Sequence, residues 1–265
     1  MGFKSQQPVA KPAPRQDLAV RHASQLNLSK DVIAELAEEA KNEQAKERPQ
    51  LTRLSTRGGI LSYMDQALPG NKINVAILFS AYINTYYVDA FDPDVPANPY
   101  CFALGTNDDM VPHEAVADKQ AETCGECEHH AWGSDPNGGR GKACKEKRRL
   151  IVVHEDELKD VAKAELAVLE LPVTSVKNWS SYVNGLAAST GLPPYAIITE
   201  VGIVPDRKSQ FKIEFTPLHA IEDGEIILAL RKRRVEAERM ALVPFDTYQQ
   251  PEQKAPPPAK KKAKF

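Results

Sequence analysis

Short runs of alternating or continuous apolar residues, separated by turn chemistry, dominate the chain between residues 51 and 220. Leu51-Thr-Arg53-Leu54-Ser-Thr-Arg57-Gly58-Gly59-Ile60-Leu61-Ser-Tyr63 reads as two extended pieces broken at the glycines. Ile73-Asn-Val75-Ala-Ile77-Leu78-Phe79 alternates before turning fully apolar, and Ala81 to Asp94 continues as an extended stretch rich in aromatics. Leu150-Ile-Val-Val153 and Leu166 to Leu171 are two further strands, and Tyr195 to Val204 pairs with Phe211 to Phe215 across a polar Pro205-Asp-Arg-Lys-Ser turn. Helical spacing is confined to three places. From Ser29, Val32, Leu36 and Ala40 form one edge, expected to pack on the main domain. Val176, Trp179, Val183 and Leu186 share a face that Thr174 or Ser175 would cap and Pro193-Pro194 would stop. A last helix covers about Glu222 to Met240. Short strands joined by turns, with few long helices between them, predict a β-rich α+β fold: an OB-like antiparallel barrel with peripheral helices.

Composition adds boundaries to this pattern. Residues 1–15 are rich in proline and glutamine without periodicity and are expected to form a disordered arm, and 16–50 a helical segment. Residues 51–245 form the barrel domain, and 246–265, carrying Lys254, Lys260, Lys261, Lys262 and Lys264, a disordered basic tail. With 42% hydrophobic residues the chain can build a real core, yet no run approaches a membrane span and the start lacks an apolar signal core. A soluble protein without membrane contact is expected. The net charge of −2 hides a segregation: acid gathers from Asp89 to Asp109 and Glu114 to Glu128, base from Arg140 to Arg149 and in the tail.

The basic stretch adjoins the most specific chemistry in the chain. All four cysteines lie between positions 101 and 144: Cys101, the knuckle Cys124-Gly-Glu-Cys127, and Cys144. Two thiolates on one tight turn plus two from flanking segments make the tetrahedral set that a structural Zn2+ prefers. Residues 98–149 therefore read as a zinc-binding insertion. A site of three cysteines and one histidine, using His129 or His130 and leaving Cys101 as an ordinary thiol, fits the same spacing, as do four reduced thiols without metal. A redox role fits less well, because such motifs open a helix after a strand and this one opens a loop rich in glycine. Thiols left free or metal-bound suit a reducing cytoplasm. Pro136-Asn137-Gly138-Gly139 supplies the positive φ angles of a tight reversal before Leu150.

An ordered series of segments resembles the single-stranded-DNA-binding proteins of tailed bacteriophages. It comprises Leu54-Ser-Thr-Arg-Gly-Gly, Tyr86-Tyr87 with Phe91-Asp-Pro, Pro99-Tyr-Cys101, Cys124-Gly-Glu-Cys127 with Trp132-Gly-Ser134, Gly141-Lys-Ala-Cys144 with Arg148-Arg-Leu150, and Leu171-Pro-Val-Thr-Ser175-Val-Lys177 with Trp179 and Tyr182. It extends to Thr199 and to Phe215-Thr-Pro217, and so covers roughly residues 50 to 220. The resemblance implies zinc on all four cysteines, no catalysis, and a place in phage replication or recombination in the bacterial cytoplasm, with DNA polymerase, helicase or recombinase as partners. Proteins of that class often end in an acidic tail, whereas this tail is basic.

Independently of the resemblance, binding single strands without sequence preference needs a basic groove for phosphates and exposed aromatic faces for bases. Lys142, Lys145, Lys147, Arg148 and Arg149 beside the cysteines, Arg53 and Arg57 on the first hairpin, and Lys177 could supply the charge. Tyr86, Tyr87, Phe91, Trp132, Trp179 and Tyr182 are the candidate platforms. Neighbouring residues of a strand face opposite ways, so Tyr86 and Tyr87 cannot both be internal. Trp179 lies on an apolar helical face and is expected in the core. Rival readings are a zinc-ribbon module that recruits other proteins and a metal-dependent nuclease. Asp92, Asp94, Asp108 and Asp109 could hold Mg2+, but the chain carries no H-E-x-x-H, no phosphate-cradling loop and no nucleophile elbow. Arg231-Lys-Arg-Arg234 is too interleaved with Glu236 and Glu238 to suggest a recognition helix.

Overall fold

The structure, a computed structural model, describes residues 51–64, 66–88 and 98–244, together with Ser29, Asp31, Val32, Glu35, Leu36 and Glu39. Two compact units divide the chain, 1–50 and 51–265. In the first, the described residues from Asp31 to Glu39 are helical, and Ser29 Oγ accepts from the Val32 N–H at 3.4 Å, the N-cap contact expected there. Val32 and Leu36 are exposed. The 1–15 arm, the tail after residue 244, and Phe91, Asp92 and Asp94 lie outside the described residues.

The second unit is built on one long strand. Among the described residues nine strands form a single curled, mixed sheet: β1 (Arg53–Ser55), β2 (Ser62–Tyr63), β3 (Gln66–Ala67), β4 (Lys72–Tyr86), β5 (Cys101–Gly105), β6 (Lys145–His154), β7 (Leu166–Leu171), β8 (Ile197–Asp206) and β9 (Gln210–Ala220). Their order is β3-β2-β1-β7-β6-β4-β8-β9, with β5 also beside β4. The β-rich α+β class is as expected. The purely antiparallel arrangement is not, because β1 runs parallel to β7, with Leu54 opposite Leu169. Nor are the extended pieces around Ile73 and Ala81 separate strands. They are one strand, whose register shifts by a bulge between Ile77 and Phe79.

Alternation along β6 explains why both faces of the sheet are covered. Leu150 and Val152 point to one side and Ile151 and Val153 to the other. On the first side, α1 (Val173–Ser189) lays Ser175, Trp179, Tyr182 and Leu186 against Val75, Ile77, Leu169 and Ile213. Trp179 is core, as its spacing predicts, with Phe215 edge-on at 5.3 Å. The helix begins after Pro172, which makes no side-chain cap. Ser175, expected as a cap, lies inside the first turn, and its Oγ accepts from the Ile213 N–H at 2.9 Å and ties the helix to β9. On the second side, α2 (Gly224–Ala241) buries Leu230, Ala237 and Ala241, and Asp223 caps its start by accepting from the Glu225 N–H at 2.8 Å. Among the described residues no helix is long and apolar enough to cross a membrane.

The strand β4 has two edges. One pairs with β6 from Val75 to Thr85. The opposite edge pairs with β8 from Lys72 to Ala76 and then with β5 from Tyr82 to Tyr86. Between these partners, from Ile77 to Ala81, that edge has no strand neighbour among the described residues. The sheet is split there.

Candidate cysteine centre and nucleic-acid interface

Antiparallel register places the cysteines. Cys101, the first residue of β5, lies opposite Tyr86, and Cys144 directly precedes Lys145, which lies opposite Thr85. Cys101 and Cys144 therefore flank the end of β4 from its two sides. The segment 106–144 folds back between them: the Cys124 N–H donates to the Met110 carbonyl at 2.9 Å, and the Cys144 N–H donates to the His129 carbonyl at 2.8 Å. Gly105 permits this return, because a Cβ there would stand 2.9 Å from Met110 Cγ. Ala103, Met110 and Cys124 then pack together, with Tyr82 against them. The expected reversal is present, with φ of +86° at Gly138 and +90° at Gly139.

All four thiols line one cavity of about 20 Å³, together with Asn84, Tyr86 and His130, enough room for a single small occupant. They form no disulfide. Burial pushes the Cys144 thiol up to about 12, and the neighbouring sulfurs of Cys124, Cys127 and Cys101 push the same way. Burial likewise raises Cys101 and Cys124, partly offset at Cys124 by a hydrogen bond with buried Asn84. Among the described residues no group of three or more histidine, cysteine or carboxylate side chains is set in ready ligating geometry. The thiols converge on the cavity without closing on a point. Of the two alternative ligands, His130 borders it, with Nε2 2.8 Å from Glu146 Oε1. His129 is stacked on the Tyr86 ring, centroids 4.0 Å apart, and burial lowers its pKa.

The basic cluster divides sharply. Lys142 Nζ lies 3.1 Å from Glu146 and 5.1 Å from the Trp132 ring centroid. Lys145 donates to Asp135 at 2.7 Å and to the Lys142 carbonyl at 2.6 Å, which holds the Asp135 carboxyl well below the usual range. Lys147 stands over the Tyr87 ring at 5.8 Å, and burial lowers its pKa. Arg148 stands over Tyr82, its guanidinium carbon 3.5 Å from the ring centroid, with no carboxylate in ion-pair distance among the described residues.

Two of the residues expected at the interface are buried. Arg149 is 2% exposed: its guanidinium holds Glu170 at 3.0 Å and the Ala241 and Val243 carbonyls at 3.0 and 2.6 Å. It points to the α2 side because it follows Arg148 by one position in an extended strand. Tyr86 is 9% exposed and packs on His129, Tyr100 and Cys144 rather than offering a free face. Trp132, by contrast, is 77% exposed, and Tyr87 is half-buried. Arg53, 3.6 Å from Glu170, and Arg57 are exposed on the first hairpin, and Lys177 is exposed on α1.

Sequence reading passed over Tyr82 and Arg234. Tyr82 shares a face with Tyr86 by simple alternation, four residues apart, which was the available signal. Arg234 looked blended with acid, but its Nε donates to the Leu78 carbonyl at 3.2 Å, on the stretch of β4 that lacks a strand partner. No family model, curated protein or solved structure matches the chain, so the phage resemblance rests on the ordered segments alone.

Proposed function

We propose that this chain is a non-catalytic single-stranded-DNA-binding protein whose four cysteines hold a structural Zn2+. What carries the reading is the gathering of cation-on-aromatic pairs on β6 and the loop before it: Lys142 with Trp132, Lys147 with Tyr87 and, on the opposite face of β6 from Lys147, Arg148 with Tyr82. Charge for phosphates and π-faces for bases are the two ingredients of sequence-independent single-strand binding; here the cations come from β6 and its leading loop, and the rings from that loop, from β4 and from the residue after β4. The thiol set fits zinc chemically. Burial and neighbouring sulfurs raise the pKa of Cys101, Cys124 and Cys144, an environment that a divalent cation would reverse, because it takes the deprotonated form of each ligand. In this reading the curled sheet is a variant of the OB-like barrel, with 98–149 as its zinc insertion. The protein coats exposed strands during phage replication or recombination in the host cytoplasm, where polymerase, helicase or recombinase meets it.

The deciding experiment is fluorescence anisotropy with a labelled oligothymidylate and with a matched duplex over a salt series. Tight single-strand binding, weak duplex binding and steep loss with salt are expected. Absence of binding to either would move the reading to a zinc-ribbon interaction module. Trp132→Ala should weaken oligothymidylate binding by about 1–3 kcal/mol, the value of one base stack. Thermal unfolding should shift by no more than about 0.5 kcal/mol, because an exposed ring contributes little to packing. Unchanged affinity would remove Trp132 from the path.

A further inference from the structure

The split in the sheet opens a second feature, distinct from the cysteine cavity. Where β4 passes from β8 to β5, a cleft of about 580 Å³ is bordered by Ile77 to Ser80 and Tyr82 on the strand, Ser180, Val183 and Asn184 on α1, and Arg234 and Glu238 on α2. Pro193, Pro194 and Tyr195, which lead into β8, close one end, and Thr106, just after β5, the other. We propose that this cleft takes one nucleotide of a bound single strand, the base lying against the Arg148–Tyr82 stack and its phosphate reaching Arg234. The proposal rests on the single-strand reading and adds a specific seat to it.

Five observations support that occupant over others. Arg148 borders the cleft with its guanidinium carbon 3.5 Å from the Tyr82 ring centroid, and a guanidinium, itself planar, can stack on a further ring. Neither Arg148 nor Arg234 has a carboxylate within ion-pair distance among the described residues, so both charges are available to a ligand. Arg234 is also held in place: its Nε donates to the Leu78 carbonyl, and its guanidinium carbon lies 5.2 Å from the Tyr195 ring centroid. Glu238 borders the same cleft, which disfavours a bare polyanion. A ligand that joins one anionic group to a ring with hydrogen-bonding edges suits the mixture better. The Asn184 amide and the Ser180, Ser80 and Thr106 hydroxyls can meet such edges.

Position links the cleft to the cysteine centre. Tyr82 and Tyr86 lie on one face of β4, four residues apart, so about 13 Å of strand separates them. Tyr82 packs against the group formed by Ala103, Met110 and Cys124, which connects the knuckle to one wall of the seat. A strand threading from Trp132 toward the split would follow β6 and meet Arg148.

The test uses the full chain and an oligothymidylate carrying 5-iodouracil. Irradiation, digestion and mass spectrometry should find adducts on Tyr82, Phe79 or Tyr195, and Arg148→Gln should weaken binding of the unmodified oligomer about tenfold with an unchanged melting temperature. Adducts confined to other segments, such as the loop around Trp132, would overturn the seat while leaving single-strand binding intact, as would full affinity in Arg148→Gln. Failure of the parent chain to bind the oligomer would overturn both readings, and the anisotropy titration shows this before any variant is made.

Discussion

Changing Cys124 and Cys127 together to serine should leave purified protein without zinc and with the 106–144 segment unfolded, while the sheet below it survives. A structural zinc site contributes on the order of 10–16 kcal/mol to the folding of a small finger, because the unfolded chain holds no such site. Here that contribution falls on a segment of modest apolar content. Its own buried groups are Met110, Pro112, Val116, Cys124, Ala143 and Cys144, whereas the sheet carries two large clusters of its own. Loss of the knuckle should therefore be local. Metal analysis should read near zero, and hydrogen exchange should accelerate from 106 to 144 but not in β6 or β7. Acid should mimic the substitution. Cys101, Cys124 and Cys144 are held protonated by burial and by neighbouring sulfurs, with Cys144 pushed up to about 12, so a bound metal would have to displace protons and its affinity should fall as pH falls. Zinc retained at full stoichiometry in the double variant would refute the ligand assignment. His130→Ala separates the two ligand sets: zinc content should be unchanged if four thiols suffice.

Much of the fold was legible because apolar runs declare their period. The edges of α2, the β8 and β9 pair, the core position of Trp179 and the opposed faces of Tyr86 and Tyr87 follow from spacings of 3.6 and 2. The parallel pairing of β1 with β7 was not legible, since three residues from Arg53 to Ser55 carry no information about which distant strand they join. The continuity of β4 was hidden by Ser80, a polar residue that reads as a break but lies beside the cleft. The cysteines could be grouped from spacing alone because a two-residue gap puts two thiols on one turn, and all four line one cavity. The basic residues could not be sorted in the same way. Arg148 and Arg149 look equivalent in sequence, yet one meets a tyrosine at the surface and the other is enclosed beneath α2, a difference that only register decides.

Arg149→Met should destabilise the protein by about 3 kcal/mol, near the lower end of the cost of breaking a buried ion pair from one side. The guanidinium holds Glu170, opposite it across the β6–β7 pair, and two carbonyls at the end of α2, Ala241 and Val243. Among the described residues, removing it takes the guanidinium donor from both carbonyls and leaves Glu170 only the longer ion-pair contact to Arg53 at 3.6 Å. Glu170 is 24% exposed, so water recovers part of its solvation and keeps the cost from the upper end of the range. Chemical denaturation with an unchanged m-value would measure the loss. Adding Glu170→Leu should restore part of it, because the uncompensated carboxylate is then gone. Oligothymidylate affinity, measured where the variant is still folded, should stay at the parent's level. A variant that kept its stability but lost affinity would return Arg149 to the interface and would mean that α2 lifts from β6 when DNA binds.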